Sequence, residues 1–314
     1  MLAILGGGFG LYGYLPAALS IPGVRVALPE RYRPILRERA ELASFEGRVH
    51  WTPTEHEALA MASRVVVARR PVDQQSLMDA LARYPNVQSL VLEKPLATSP
   101  TDATQLAQRL HVESRPFRVG YTLARTPWGQ RLAQWLAQPS GNKVQVRWDF
   151  MAKHYSNAEA NWKRETTAGG GALRFYGVQL LALITSPVVD APQLISSSLT
   201  VDARHTTRAW SGAFRLASGI EVTLHVNSHS WAPRFSVHAT GLEDIDFTDP
   251  FGELSAIGGQ DIRVPLLAEI LRASPAESDF AWTQRVHAAW LAAETEADVA
   301  SSGSASFSMP TICA

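Results

Sequence analysis

The sequence predicts an α/β protein with a doubly wound parallel sheet at the N-terminus, followed by an α+β domain with an open, mostly antiparallel sheet. In the first half, short apolar segments alternate with helical segments, as in βαβ units. The first apolar segment ends in five glycines within eight residues. After residue 121, apolar and polar residues alternate along several segments, as in half-buried strands. These observations predict two domains, residues 1–121 and 122–314.

The first domain is predicted to contain five strands separated mostly by helices. Its strands are short runs of Val, Leu, Ile and Ala, as in a sheet that is buried on both faces. The predicted strands are 2–5, 24–28, 64–68, 87–92 and 117–121. The predicted helices are 14–19, 31–45, 73–84 and 101–110.

The second domain is predicted to combine a sheet with three helices. The strands are 144–150, 194–201, 210–216, 220–228 and 235–240, with a hairpin turn at 217–219. The helices are 127–137, a segment that follows a glycine triplet and runs to about 184, and a closing helix at 280–300. The Ser-rich tail, 301–314, is expected to be loosely held.

Composition excludes several classes of function. The chain has 29 basic and 29 acidic residues, and this balance gives no indication of a nucleic-acid or membrane partner. Its one cysteine, Cys313, excludes an intrachain disulfide and a cysteine-cluster metal site, so we expect a reducing, cytoplasmic location. No apolar run is long enough to span a membrane, and no signal peptide is expected because glycines interrupt the apolar start.

The glycine-rich turn predicts a nucleotide cofactor. Glycines after a strand let the backbone approach a pyrophosphate, and the following helix offers free N–H groups. Two registers of the fingerprint are possible: Gly6 and Gly8 with Leu11 third, which we prefer because it starts at the strand end, or Gly8, Gly10 and Gly13. Phe9 and Gly10 complete the predicted contact segment.

Charged residues after the second and third predicted strands bear on the cofactor. Glu30 lies 22 positions beyond Gly8, where a carboxylate would bind the ribose 2′-OH of NAD. Arg31 follows it and would pair with the 2′-phosphate of NADP. Arg69 and Arg70 end another strand and would bind cofactor phosphates or an anionic substrate. The cofactor is therefore predicted to be NAD or NADP, with the arginines favouring NADP; solvated loop charges are the alternative interpretation.

Three motifs in order carry a family resemblance. They are the glycine turn, Glu93-Lys94-Pro95-Leu96 after a buried strand, and Ala168-Gly169-Gly170-Gly171-Ala172-Leu173. Together they resemble the Gfo/Idh/MocA oxidoreductases, over almost the whole chain. The resemblance implies a Rossmann domain, an open sheet whose face makes a homo-oligomer contact, and nicotinamide beside Lys94. It also implies that Glu93 lies at the cofactor and that Lys94 polarises a carbonyl oxygen or moves a hydroxyl proton.

The chain departs from the family pattern after the glycine triplet. Phe175 stands where the family has aspartate, and Gln179 stands where it has histidine. Gln179 can hydrogen-bond a substrate but cannot act as an acid or base near pH 7. Three explanations remain open: another group such as Tyr176 supplies the proton, Lys94 acts alone on a substrate such as an imine, or the protein binds a cofactor without turnover.

Further residues are predicted to line the substrate side. They are Tyr121, Lys153, His154 and Trp162, with Lys163 and Arg164 beside them. His225, Asn227 and His229 alternate along one strand, but without an obvious carboxylate partner we expect a polar subunit contact there and no metal. The predicted function is hydride transfer between nicotinamide and a small sugar-like or nucleotide-sugar substrate, with a biosynthetic imine or ketone reductase as the alternative.

Overall fold

The computed structural model describes residues 1–138, 141–157, 159–256 and 259–301. The expectation for the tail therefore falls, apart from Ser301, outside the described residues, as does Cys313.

A parallel sheet of six strands forms the first part of the fold. Its order, β3-β2-β1-β4-β5-β6, reverses direction between β1 and β4. In such sheets, ligands bind in the crevice outside the carboxyl ends of the strands at this reversal. The strands are β1 (Leu2–Leu5), β2 (Val26–Pro29), β3 (His50–Thr52), β4 (Arg64–Val67), β5 (Ser89–Leu92) and β6 (Phe117–Val119).

Six helices connect these strands. They are α1 (Leu15–Leu19), α2 (Arg33–Glu38), α3 (Ala40–Ala43), α4 (Glu55–Met61), α5 (Pro71–Leu81) and α6 (Pro100–Val112). The helix predicted at 31–45 is wrong as one element, because Arg39 is extended (φ −108°, ψ 111°) and separates α2 from α3. The strand β3 and the helix α4 were not predicted; β3 has only three residues, too few to show a periodicity.

The second sheet has seven strands in the order β12-β11-β7-β10-β9-β8-β13. Four of its strand pairs are antiparallel and two are parallel, β7 with β10 and β8 with β13. The strands are β7 (Lys143–Met151), β8 (Gln193–Val201), β9 (Thr207–Arg215), β10 (Glu221–Asn227), β11 (His229–Ala239), β12 (Ile245–Phe247) and β13 (Ala297–Ser301). The predicted fold class is confirmed.

The remaining helices are α7 (Pro127–Leu136), α8 (Lys153–Ser156), α9 (Val178–Thr185), α10 (Val264–Arg272) and α11 (Phe280–Thr295). The closing helix predicted at 280–300 is too long, because the chain leaves α11 after Thr295 and pairs as β13 with β8. Among the helices of the described ranges, none combines the length and apolarity that a membrane span requires.

Helix α10 returns to the first sheet, although it follows the second sheet in the chain. Its buried residues Leu267 and Ile270 belong to the same apolar cluster as β1, β2 and α1. The guanidinium of Arg64, at the start of β4, donates to the carbonyl oxygens of Ile270 (3.2 Å) and Leu271 (2.5 Å) and so caps the C-terminus of α10. The segment before α10 is thereby carried to the crevice of the parallel sheet.

Candidate active site

The glycine turn brings the backbone close to β4. Gly6 has a φ of +146°, and a Cβ there would overlap the carbonyl oxygen of Ala68. Gly8 faces open space, since a Cβ built on it has no neighbour within 4 Å. Leu11, in the third position of the preferred register, is fully buried. The geometry therefore fits the register of Gly6, Gly8 and Leu11, with Gly8 as the point where a ligand can approach the backbone.

The turn is tied to the segment after β2. The Gly6 N–H donates to the hydroxyl of Tyr32 over 2.9 Å, which fixes the turn against that segment. Beyond Phe9 the chain enters a π-helical turn, Gly10–Tyr14, that continues into α1. Wide helical turns of this kind are often found at functional sites.

Arg263, just before α10, lies over the glycine turn. Its guanidinium carbon is 4.2 Å from the ring centroid of Phe9, a cation–π distance. It also donates two hydrogen bonds to Asp261, of 2.8 and 2.7 Å. Burial disfavours its charge, but the pairing with Asp261 outweighs this and raises the pKa of Arg263 above its usual value. A permanently charged arginine from the second half of the chain therefore stands at the mouth of the turn.

The predicted cofactor arginines form a cluster on one carboxylate. Arg31 and Arg69 both form ion pairs with Glu55, at the start of α4. Glu30 pairs instead with Arg33 at 3.1 Å, and Arg70 is exposed at the start of α5. Two guanidiniums held by one carboxylate leave an excess of positive charge at this end of the crevice.

Glu93 lies in a tight space between three elements. The hydroxyl of Tyr14 donates to its Oε1 over 2.6 Å, and a Cβ on Gly120 would overlap that same oxygen. Burial raises the pKa of Glu93 above its usual value. The side chain of Gln74 donates to the carbonyl oxygens of Glu93 (3.1 Å) and Pro95 (2.8 Å) and so holds the backbone around Lys94.

Lys94 extends from the end of β5 toward the segment that follows the glycine triplet. Its ammonium donates to the carbonyl oxygen of Phe175 over 2.6 Å and lies 3.7 Å from the centroid of the Phe175 ring. Burial lowers the pKa of Lys94 to about 7, with Lys163 and Arg263 adding to the effect and Glu93 opposing it. The lysine therefore exists in both protonation states near neutral pH, as a proton donor and acceptor requires.

The glycine triplet positions Lys163 on the same ring. The carbonyl oxygen of Lys163 accepts from the N–H of Gly171 over 2.8 Å, and a Cβ on Gly170 would overlap the backbone of Trp162 and Lys163. The Lys163 ammonium lies 5.0 Å from the Phe175 ring centroid. Burial lowers the pKa of Lys163, and Arg263 lowers it further. Phe175 thus contacts two ammonium groups.

Tyr176 lies near Lys94 but packs into an aromatic cluster. Its ring centroid is 4.7 Å from that of Phe150 and 5.6 Å from that of Trp148, both on β7. The Lys94 ammonium is 5.9 Å from the Tyr176 centroid. Burial raises the pKa of Tyr176, which makes it a weaker acid than an exposed tyrosine.

Two predicted substrate contacts have their polar groups inside the fold. The Gln179 amide donates to the carbonyl oxygen of Gly120 (3.1 Å) and accepts from the N–H of Leu123 (3.4 Å), so it braces the chain after β6. Tyr121 is fully buried, with its ring centroid 5.0 Å from that of Trp282 on α11. Among the hydrogen bonds of the described residues, neither side chain is bonded to the Lys94 ammonium, and their contact with a substrate stays a prediction.

The residues predicted near 153–162 divide into two groups. Trp162 packs against Phe175, with the ring centroids 5.3 Å apart. Lys153 is exposed on α8, whereas His154 is 5% exposed and its Nε2 has no hydrogen-bond partner among the described residues. Burial lowers the pKa of His154 to about 4, helped by Lys163 and Arg164, so this histidine is neutral at pH 7.

His225, on β10, takes part in a polar network, whereas His229 begins the next strand, β11, so the prediction that both histidines and Asn227 lie along one strand is wrong. His225 lies between Ser211 (2.8 Å from its Nδ1) and Asp149 (3.3 Å from its Nε2), across three neighbouring strands. Burial lowers the pKa of His225. Within the described ranges, no group of three or more His, Cys, Asp or Glu residues is arranged to hold a metal ion.

Solved structures share this fold over nearly the whole chain. GenD2 from gentamicin A biosynthesis, crystallised with NAD, matches with a TM-score of 0.70, 20% identity, and coverage of 94% of this chain and 93% of its own. KijD10, a 3-ketoreductase from Actinomadura kijaniata crystallised with NADP and TDP-benzene, matches with a TM-score of 0.70, 15% identity, and coverage of 96% and 99%. The fold is theirs.

The WlbA (WbpB) dehydrogenase from Thermus thermophilus, crystallised with NAD and alpha-ketoglutarate, matches with a TM-score of 0.66, 14% identity, and coverage of 96% and 97%. Neither the models of protein families nor the sequences of curated proteins match this chain. At these identities the likeness is one of fold.

Sequence reasoning missed three residues of this site. Arg263 and Asp261 lie far along the chain from the glycine turn and belong to no local pattern. Tyr14 follows the turn directly, but its apolar neighbours favour a core position. The only available signal was an Asp-x-Arg pair just before an amphipathic segment, which is too common in proteins to indicate a site.

Proposed function

We propose that the protein is an NAD(P)-dependent oxidoreductase of the Gfo/Idh/MocA type, acting on a carbonyl or hydroxyl carbon. The observation that carries the proposal is Lys94, a half-buried lysine at the carboxyl end of β5 that donates to the carbonyl oxygen of Phe175 and whose pKa is lowered to about 7. The hydroxyl of Tyr14, in the π-helical turn Gly10–Tyr14, donates a hydrogen bond to Glu93, the residue before Lys94. Lys94 and the glycine turn therefore border one crevice. The neighbours of known structure were crystallised with NAD or NADP, which supports the cofactor.

The residues present fit such a cofactor. Gly8 leaves open space beside the glycine turn, Arg263 stands at its mouth, and Arg31 and Arg69 supply positive charge at the far end for a 2′-phosphate. When bound, the cofactor supplies or accepts a hydride at its nicotinamide ring. We infer that Glu93 acts through the position of Lys94, since Glu93 itself is enclosed by Tyr14 and Gly120.

Lys94 carries the proton in this proposal. In reduction, its ammonium hydrogen-bonds the substrate carbonyl oxygen and gives that oxygen a proton as hydride reaches the carbon. In oxidation, the neutral amine removes the hydroxyl proton. The lowered pKa of Lys94 supports this assignment over Tyr176, whose pKa burial raises. Tyr176 then acts as a wall of the substrate pocket.

The proposed substrate is sugar-like or a nucleotide sugar, supported by the TDP-benzene complex of KijD10. An imine or ketone reductase is the second candidate, favoured by the absence of a carboxylate at the position of Phe175. A cofactor-binding protein without turnover is the rival from another class.

Binding and turnover test these candidates. NADH and NADPH are titrated by fluorescence, and a panel of sugars, nucleotide sugars and imines is then screened for absorbance change at the nicotinamide band. Turnover that Lys94→Ala lowers about 100-fold or more, with cofactor binding kept, supports the proposal. Cofactor binding without turnover on any substrate supports the non-enzyme, and unaltered activity of Lys94→Ala removes the catalytic assignment.

We also propose that a second copy of the chain packs on the open side of the seven-stranded sheet, as the family resemblance implies. The polar network of Ser211, His225 and Asp149 and the exposed Trp231 on β11 support a contact there. Light scattering after gel filtration measures the assembly: a dimer that Trp231→Glu dissociates supports the proposal, and a wild-type monomer contradicts it.

A further inference from the structure

Two ammonium groups share one aromatic ring in the candidate site. Lys94 and Lys163 lie 3.7 and 5.0 Å from the centroid of Phe175, so one small molecule can contact both. Phe175 offers the two ammonium groups only the weak negative face of its ring. No carboxylate stands at this position to balance the two lysines.

The surrounding carboxylates do not restore the balance. Asp261 is engaged by Arg263 through two hydrogen bonds. Glu93 accepts from Tyr14, and burial raises its pKa, which works against its negative charge. Within the described ranges, no Asp or Glu oxygen lies within 4.0 Å of the Lys163 ammonium. Of the two carboxylates near these cationic side chains, Asp261 is thus engaged by Arg263 and the charge of Glu93 is disfavoured, so neither is a direct counter-ion for Lys163.

A half-buried ammonium without a counter-ion is unfavourable unless a ligand provides one. The backbone of Lys163 is nevertheless held firmly, by the Gly171 N–H and by the Asn161 side chain, which accepts from the Lys163 N–H over 3.1 Å. The close approach of Gly170 to this backbone fixes it further. The fold therefore keeps a positive charge in place beside the proton-transferring group.

We propose that Lys163 is an anion-binding residue, and that the substrate carries a carboxylate or phosphate close to the carbon that reacts beside Lys94. This inference rests on the proposed function and narrows its substrate class. A neutral sugar would leave the Lys163 charge unmatched, whereas an anionic substrate would pair with it and leave Lys94 free to serve the reacting oxygen.

Lysine labelling tests the anion site without requiring turnover. The protein is acetylated at pH 7.5 and the modification of Lys163 is followed by peptide mass spectrometry, with the exposed Lys143 of β7 as the internal reference. Malonate is expected to slow Lys163 labelling several-fold, while its neutral analogue malonamide is not, and labelling of Lys143 is expected to be the same in both. The labelling is repeated with NADPH present and with inorganic phosphate in place of malonate. The proposal is overturned if neither malonate nor phosphate slows the labelling of Lys163, with or without NADPH. Protection by phosphate but not malonate would assign a phosphate ligand.

Substrate kinetics provide the second arm. Pairs that differ only in charge are compared, glucuronate with glucose for a carboxylate and glucose 6-phosphate with glucose for a phosphate. Lys163→Gln is expected to raise KM for the anionic member of an active pair about tenfold while NADPH binding is nearly unchanged, and Lys143→Gln, on an exposed lysine at the start of β7, is the matched control. A preference for the anionic member that survives Lys163→Gln contradicts the inference.

The two proposals fail in different ways. If the protein turns over neutral sugars and Lys163→Gln has no effect, the anion-site inference is wrong and the proposed oxidoreductase function stands. If NADH and NADPH do not bind, the proposed oxidoreductase function is wrong. The anion site at Lys163 is still tested, because its protection from labelling by an anion does not require the cofactor.

Discussion

The ammonium of Lys94 donates a 2.6 Å hydrogen bond to the backbone carbonyl oxygen of Phe175, whose side chain lies against the same ammonium. Phe175 thus positions the Lys94 ammonium with its backbone carbonyl oxygen and covers one side of it with its aromatic ring. Both of these interactions favour the charged form, whereas burial of the ammonium among its neighbours disfavours it and outweighs them. The outcome is a lysine whose pKa is lowered to about 7.

The pH dependence of the reaction follows from this pKa. Only the protonated lysine donates a proton, so kcat/KM for carbonyl reduction is expected to be highest below pH 7 and to fall about tenfold per pH unit above it. Oxidation requires the neutral amine and is expected to fall below pH 7. Plots of kcat/KM against pH for reduction and for oxidation check this expectation. If the decrease above pH 7 in reduction persists in the residual activity of Lys94→Ala, another group is responsible for the titration.

Phe175→Asp is expected to restore a carboxylate beside Lys94 and Lys163. A negative charge at this distance favours the ammonium, so the alkaline limb of the reduction profile should move up by about one pH unit or more. The preference for anionic substrates should fall, because the new carboxylate occupies Lys163. Phe175→Leu is the matched control, since it removes the ring without adding charge; a limb that moves equally in both variants speaks against the electrostatic explanation.

Gly120→Ala tests the packing around Glu93. The added Cβ would overlap the Glu93 carboxylate and crowd the Tyr14 hydroxyl, so we expect a loss of about 1–3 kcal/mol in the free energy of unfolding and a lower kcat. Gly47→Ala is the control, because a Cβ at Gly47 has no neighbour within 4 Å. Denaturant unfolding measures both variants, and equal stability of the two would show that Glu93 adjusts without cost.

Arg69→Ala is expected to separate the two cofactors. If the Arg31–Glu55–Arg69 cluster holds a 2′-phosphate, the Kd for NADPH should rise about tenfold or more, while the Kd for NADH changes little. Arg70→Ala, next in the chain but exposed, provides the comparison. Equal weakening of NADH and NADPH by Arg69→Ala would place the arginine at a phosphate common to both.

Acid lability is expected from His287, on α11. Burial lowers its pKa to about 3, so it stays neutral in the folded protein while the unfolded chain binds a proton below pH 6.5. Folding stability that is present above pH 6.5 is therefore lost as pH falls toward 3, at about 1.4 kcal/mol per pH unit for this group. His287→Phe should flatten this dependence in urea unfolding from pH 7 to 4; an unchanged slope would assign the loss to other groups.

Much of the fold could be predicted from the sequence because its strands are buried on both faces. All four residues of β1 and of β5 are buried, and such runs are visible as unbroken apolar segments. The elements that escaped prediction are short or depend on partners distant in the chain. β3 has three residues, and β13 exists because β8 lies beside it.

The residues of the candidate site fall into the same two groups, those that a local sequence pattern indicated and those that only the packing brings there. Lys94 was predicted because a resemblance of ordered motifs marked it, and the structure adds the surroundings that lower its pKa. The partners of Gln179 and the position of Arg263 depend on three-dimensional packing, which no local pattern contains. A π-helical turn, Ala172–Gly177, also changes the directions of Phe175 and Gln179, which a regular helix would place on one face.

Helix α10 ends under the guanidinium of Arg64, and the Arg263 side chain just before it lies on Phe9. Both ends of α10 are thus anchored to the half of the chain that forms the parallel sheet, although the chain reaches α10 only after crossing the seven-stranded sheet. A hinge motion that separated the two sheets would leave Arg263 with the glycine turn and carry Lys163 away from it. The mutual repulsion of these two cations would favour such a separation, and a negatively charged ligand bound between them would oppose it.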